Sequence, residues 1–300
     1  MSRERGDGGT GASTAGADAG AAAATGAAAP ARPGAAAQRP GPRRRTAWTV
    51  AAALSAVFIV APAAWKAWSH RSAESGVLRG DSGGFTVTAL QIDAGDAAVT
   101  VSPRGDQRVA YRADLRWSLA RPEIEVSRLG GTLRLTPRCP GAGGVLDAGG
   151  GCGVDLGVTV PVGIPVTVTG GSGKVDISGL GGAVDVRTDS GAVRLTALRG
   201  PLRAVVGSGA LEATALTSPE ADLRAGSGMV DARFLAPPDR LAARTGSGRI
   251  ALTLPVATRF RVTSRAGSGR LDVAPGMADP AAPGTLDLST ESGRAAACYP

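Results

Sequence analysis

From about residue 169 to the end of the chain, apolar side chains recur two positions apart on either side of a Ser-Gly pair. The pairs are Ser172-Gly173, Ser190-Gly191, Ser208-Gly209, Ser227-Gly228, Ser247-Gly248, Ser268-Gly269 and Ser292-Gly293, spaced 18, 18, 19, 20, 21 and 24 residues apart. Three and five positions after each Ser stand Val175 and Ile177, Val193 and Leu195, Leu211 and Ala213, Val230 and Ala232, Ile250 and Leu252, Leu271 and Val273, Ala295 and Ala297. Six and four positions before each Ser the residues are again apolar, from Val166 and Val168 to Leu286 and Leu288, with Ser264 the one exception. Side chains alternate faces along a strand, so this pattern predicts short strands with one face buried. Each unit reads strand, tight turn, strand, loop. One unit buries almost nothing alone, whereas units stacked in register about 4.8 Å apart place like residues in columns and build a narrow continuous core. The expected fold is all-β, a β-solenoid of 18–24 residues per coil over 169–300. Glycine in each turn is expected to supply positive φ, and the stacked serine hydroxyls can form a ladder.

Between 85 and 168 the pattern is strand-like but irregular, in segments such as FTVTALQI, RVAYRA, TLRLTP and CGVDLGVTVP. These read as the first coils and a cap that carries Phe85, Tyr111 and Trp117. Before them, 69–84 reads as a Gly-rich linker. Residues 47–68, AWTVAAALSAVFIVAPAAWKAW, are apolar except for Thr49, Ser55 and Lys66, about the length that crosses hydrocarbon. Trp48 and Trp65 sit near its ends, and Arg43, Arg44 and Arg45 precede it, which predicts a single-pass helix with the N-terminus cytoplasmic and the C-terminal domain extracytoplasmic. The alternative is secretion after signal cleavage near Ala63, within the small-residue run Ala61, Pro62, Ala63. Residues 1–46 hold no aliphatic side chain larger than Ala after Met1, and read as a disordered cytoplasmic tail.

Composition sharpens this picture. The net charge of +8 suggests a polyanion partner at first, but 1–46 carry seven Arg against three acids, and the chain beyond residue 76 carries 24 basic against 21 acidic residues. Nucleic acid is therefore not expected as a partner. The chain has one His, His70, and no Asn, so multi-histidine metal sites and N-glycosylation are excluded; no metal and no cofactor is expected. Cys139 and Cys152 flank a Gly-rich segment too long and ligand-poor for a redox or zinc motif, and a disulfide between them is the preferred reading over two free thiols. Cys298 is left over, free or intermolecular.

Several strings imitate catalytic or binding motifs. Gly80–Gly84 spell GDSGG, the string around the nucleophile of trypsin-like proteases, yet the only candidate base is His70, and a linker entering the first strand is expected. Gly6, Gly8 and Gly11 match GxGxxG by chance in low complexity, and GSGK at Gly171–Lys174 lacks Walker spacing. Outward positions carry Asp176, Arg194, Glu212 and Asp231 on one side of the turns, and Asp185, Arg203, Asp222 and Asp287 on the other. Opposite signs often occupy successive coils, so the columns read as weakly paired surface charge and not as a gathered carboxylate pair. No catalytic residue is expected.

The segments LQIDAGDAAVTVSPRGDQRV, GTLRLTPRC and CGVDLGVTVPVGIPVTVTGGSGKVDISG, followed by the Ser-Gly repeats, are similar to a bacterial family of candidate adhesins with β-strand repeats, a domain of unknown function often placed behind one membrane helix. The resemblance covers about residues 85–295 and implies a right-handed β-helix exposed at the cell envelope, with no known catalytic residues. The expected function is a membrane-anchored, non-catalytic envelope binding or scaffold module, adhesin-like, touching the lipid bilayer through its helix and an envelope protein or glycan through its strands. The alternatives are an envelope stress or signal sensor with a cytoplasmic partner and, third, a polysaccharide-acting β-helix enzyme.

Overall fold

The computed structural model describes residues 74–118, 120–140 and 152–300, together with Ser55. The tail expected over 1–46, the helix expected over 47–68 apart from Ser55, His70 and the segment 141–151 lie outside the described residues. Among the described residues no helix is long and apolar enough to cross a membrane. The chain divides into two units, Met1–Ala56 and Val57–Pro300, and every strand belongs to the second.

That unit is all-β. The N-terminal strands are β1 (Glu74–Asp81), β2 (Ala89–Gly95), β3 (Ala98–Arg104), β4 (Ala110–Trp117), β5 (Glu123–Leu129), β6 (Thr132–Arg138) and β7 (Cys152–Pro161). The repeats then give, two strands per Ser-Gly pair, β8 (Val166–Gly170) and β9 (Val175–Ser178), β10 (Val184–Thr188) and β11 (Ala192–Thr196), β12 (Leu202–Val206) and β13 (Ala210–Leu216), β14 (Glu220–Ala225) and β15 (Met229–Phe234). The remaining strands are β16 (Arg240–Thr245) and β17 (Arg249–Thr253), β18 (Arg261–Ala266) and β19 (Arg270–Val273), β20 (Thr285–Thr290) and β21 (Arg294–Cys298). Each Ser-Gly pair joins a strand of a 10-stranded sheet to a strand of an 11-stranded sheet. Neighbouring units pair in parallel with equivalent residues aligned: Val184 lies beside Val166 and Leu202, and Val193 beside Val175 and Leu211.

The inward columns form one hydrophobic cluster drawn from both sheets, with Val175, Val186, Leu195, Leu223, Ile250 and Leu288 among its fully buried members. The lengthening of the repeat goes into the segments opposite the Ser-Gly edge, where Phe234, Phe260 and Met277 are buried. Two phenylalanines enter the core there, Phe234 at the end of β15 and Phe260 just before β18.

Four local expectations change. Residues 74–81, expected within a linker, form β1, which pairs antiparallel with β4 over its whole length. The N-terminal region is not made only of irregular parallel coils: β2 and β3 join the parallel ladders, but β4 runs antiparallel to β7 and β5 antiparallel to β6. The last unit in sequence is not the last in space, because β20 lies between β16 and β18, and β21 between β17 and β19. Finally, none of the turn glycines Gly173, Gly191, Gly209, Gly228, Gly248, Gly269 and Gly293 has positive φ. Their role is close approach. A Cβ on Gly209 would collide with the carbonyl oxygen of Gly191, one on Gly228 with that of Gly209, and one on Gly293 with that of Gly248. Each turn lies flat on the one beneath, so a side chain there would force the layers apart. Positive φ appears at the opposite bend, at Gly179 (70°), Ala197 (54°) and Ala215 (55°).

Candidate functional site

The Ser-Gly edge is the most regular surface feature. Ser172, Ser190, Ser208, Ser227, Ser247, Ser268 and Ser292 are all exposed and lie in one row. The ladder between turns is made by backbone: Ser190 N donates to Gly171 O at 3.0 Å, Ser227 N to Gly207 O at 3.0 Å, and Ser292 N to Gly246 O at 3.0 Å. The hydroxyl ladder allowed by the sequence is thus replaced by main-chain bonds, which leaves the hydroxyls facing outward over a long open furrow that runs from Ser190 to Ser268.

Ser172 is the exception. Its hydroxyl donates to Asp96 Oδ1 at 2.6 Å and its backbone N–H donates to the same oxygen at 3.1 Å. Both bonds favour the ionised carboxylate and hold Asp96 below the ordinary carboxylate pKa. Asp96 thereby ties the first Ser-Gly turn to the β2–β3 turn before it.

The residues just outside the turns decide the charge of the edge. Two positions after each Ser, the column reads Lys174, Ala192, Ala210, Met229, Arg249, Arg294 and Arg270 in spatial order. Arg249, Arg294 and Arg270 are consecutive, exposed and in register, and none makes an ion pair among the described residues. Elsewhere on the ladders many arginines have partners, although Arg79, Arg203 and Arg265 make no ion pair among the described residues. Arg187 meets Asp185 at 2.7 Å, Arg224 holds Asp222 through two hydrogen bonds of 3.0 and 2.7 Å, and Arg244 reaches Asp287 at 3.3 Å. Arg194 pairs with Glu212 of the next layer at 3.1 Å, while Asp176 is met by Lys174 just before β9 and Asp231 by Arg233 on β15. Pairing along the columns, expected from the alternating signs, is therefore only part of the pattern. Partners two residues apart on one strand share a face and reach each other as readily.

The catalytic imitations resolve structurally. Ser82 of GDSGG is 4% exposed; its hydroxyl accepts from Val109 N at 3.3 Å, its carbonyl accepts from Phe85 N at 2.9 Å, and its N–H donates to Val109 O at 2.8 Å. Asp81 accepts from Gly83 N at 2.7 Å, closing the turn after β1. Asp185 and Asp222 lie two layers apart with Arg203 between them, each occupied by an arginine of its own strand. Among the described residues no cluster of His, Cys, Asp or Glu could hold a metal ion. Cys139, after β6 of one sheet, and Cys152, opening β7 of the other, form a disulfide with a Cα–Cα distance of 6.0 Å. Cys298 is free and exposed.

No protein-family model and no curated protein sequence matches the chain. Solved structures give likenesses at low identity. A candidate adhesin of Bacteroides fragilis is 15% identical with a TM-score of 0.38, over 75% of this chain and 97% of that one. A candidate cell adhesion protein of Clostridium sporogenes is 12% identical with a TM-score of 0.36, over 76% and 98%. A candidate lipid-binding protein of Parabacteroides distasonis is 14% identical with a TM-score of 0.35, over 75% and 96%. At these scores the likenesses bear on neither the function nor the site of this chain. Sequence reading placed the Ser-Gly row correctly but passed over the arginine column, although the signal was present two positions after Ser247, Ser268 and Ser292.

Proposed function

We propose that this chain is a non-catalytic, adhesin-like binding or scaffold module of the cell envelope. The β-strand units wind as a right-handed β-solenoid, held outside the cytoplasmic membrane by a single helix over 47–68 that contacts the bilayer. The observation that supports this reading is the use of outward charge. The carboxylates Asp176, Asp185, Asp222, Asp231 and Asp287 are each met by a basic residue, and the acids are spread over successive layers. Acid–base chemistry on a polysaccharide needs two carboxylates facing one bond. A binding surface needs a rigid, repeating face, and in-register parallel ladders supply one.

Cys298 provides the test of location. It is exposed and is the one free thiol among the described residues, so a membrane-impermeant maleimide should label it on intact cells. Labelling that requires lysis would overturn the extracytoplasmic assignment. Proximity labelling from the C-terminus should then recover wall or surface components; recovery of a sigma-factor regulator or kinase would point to the sensor.

A further inference from the structure

We infer that the Ser-Gly edge is a binding furrow for a linear anionic polymer, gripped by Arg249, Arg294 and Arg270. This rests on the envelope-binding reading and names its site and the chemistry of its partner. Three guanidiniums stacked one layer apart, about 4.8 Å, repel one another, and like charges directly opposite on neighbouring strands are destabilising. At two other ladder positions arginines face each other with carboxylates at hand: Asp222 and Asp287 meet Arg224 and Arg244, and Asp114 meets Arg112 opposite Arg79. Among the described residues no carboxylate pairs with the Arg249 column. Asp272, on the strand of Arg270, makes no ion pair with it, and Glu291 lines the concavity on the other side of the turn with Arg244 and Arg265. All three arginines of the column are exposed.

The shape of the site selects the ligand. A single small anion is bound where donors converge in a concave pocket. Here the donors stand in a line, and the furrow they border continues along the serine hydroxyls. From Ser172 to Ser268 the row spans six layer intervals, about 29 Å. A guanidinium fork matches carboxylate and phosphate oxygens alike, so the ligand chemistry is a chain carrying such groups at repeated intervals. The hydroxyls can donate to or accept from its uncharged parts, and exposed Met229, next in the column before Arg249, offers an apolar contact. The arginines crowd one end of the row, so a bound chain would be held most firmly at the end formed by β18 and β19.

The test uses the full chain in neutral detergent, titrated against polygalacturonate, polyphosphate, inorganic phosphate and neutral dextran. The two polyanions should bind, inorganic phosphate far more weakly and dextran not at all, and the affinity should fall steeply with salt. Replacing Arg249, Arg270 and Arg294 together by Gln should weaken polyanion binding by about tenfold or more, while replacing Arg79, Arg108 and Arg203 by Gln, an equal loss of charge elsewhere, should change it by less than about twofold. The first triple variant should also melt no lower than the parent, because repulsion is removed; a purely structural role for these arginines would lower the melting temperature. Equal loss of binding in both triple variants, or no preference for polyanions over dextran, would overturn the site. Cys298 labelling reads the location independently, so a furrow that binds on a domain facing the cytoplasm would refute only the envelope assignment.

Discussion

The two ends of the strand stack are finished by different means. At the N-terminal end, antiparallel strands close both sheets: β4 and then β1 in one, β5 in the other. Tyr111 of β4 lies across Gly80 of β1, Trp117 lies against Gly76, and Arg121 stacks 5.4 Å above the Trp117 ring. The Cys139–Cys152 disulfide joins the sheets there, and Arg112–Asp114 and Arg138–Glu125 pair on the outside. At the other end β18 and β19 remain parallel, and Val262, Leu271 and Val273 are only partly covered. That end carries Arg261, Arg265 and Arg270 on open strands, a charged edge that discourages edge-to-edge pairing. It also carries Ser264, four positions before its Ser-Gly turn where every other unit has an apolar residue; it is exposed, with no further layer over it among the described residues, whereas the inward Thr188, Thr245 and Thr290 are buried. One end is sealed by cross-links and reversed strands, the other by charge and by the return of the chain.

That return dominates the energetics of the open end. Among the described residues β18 pairs only with β20, and β19 only with β21, so deleting residues 283–300 removes that partner layer. Leu286, Leu288, Ala295 and Ala297 are buried there, and losing them costs about 5 kcal/mol or more. Hydrogen exchange should show protection lost over 261–273 while 74–117 and 152–161 stay protected; unchanged protection over 261–273 would break the layer order described above.

The closed end should respond next. Reducing the disulfide, or replacing Cys139 and Cys152 by Ser, is expected to cost about 3 kcal/mol through loop entropy. Chemical denaturation with a probe at Trp117 should reveal it. A smaller loss, with equal effects at both ends, would show that the bond does not act as an end closure.

Between the ends, Gly209→Ala puts a methyl group into the Gly191 carbonyl and should destabilise by about 2 kcal/mol, as backbone strain does. Gly163→Ala, at a position with open space and no positive φ, should stay within about 0.5 kcal/mol. Equal melting temperatures for the two variants would refute the close-approach role of the turn glycines.

Acid gives the smallest and finest comparison. Asp96, near the closed end, has its pKa lowered by the two bonds from Ser172, and Asp279, near the open end, by Ala281 N and Arg259. A carboxyl group whose pKa is depressed on folding contributes stability above its unfolded pKa and loses it as pH falls through the folded value. Melting temperature should therefore decline below about pH 4, and Asp96→Asn or Asp279→Asn should each flatten that decline. A steeper acid limb in either variant would reverse the sign assigned to that carboxylate.

Much of this was legible before any coordinates. The alternation around Val175 and Ile177, or Leu286 and Leu288, reports strand faces because side-chain direction is a local property of extended backbone. Strand β1 was not legible, since ESGVLRGD has no apolar alternation and is ordered by pairing with β4. Ser264 did carry a signal: among the positions six and four before each Ser it alone is polar, and it falls in the layer that ends the stack. The arginine column was visible at a fixed offset from Ser-Gly, but its significance depended on knowing that no carboxylate reaches it.

The sequence by itself determined that the described residues after 84 are all-β, which side chains face inward, where each Ser-Gly turn falls and which residues share a column. All of these follow from two-residue periodicity and repeat spacing. Only the tertiary structure decided that the last unit slips between its two predecessors, that turn glycines are required by a neighbouring carbonyl, and that positive φ falls on Ala197 and Ala215. The physical reason is shared. Units with the same apolar pattern are interchangeable as far as local preference goes, so their order and the distances between their turns are set by long-range pairing and by what each end leaves exposed.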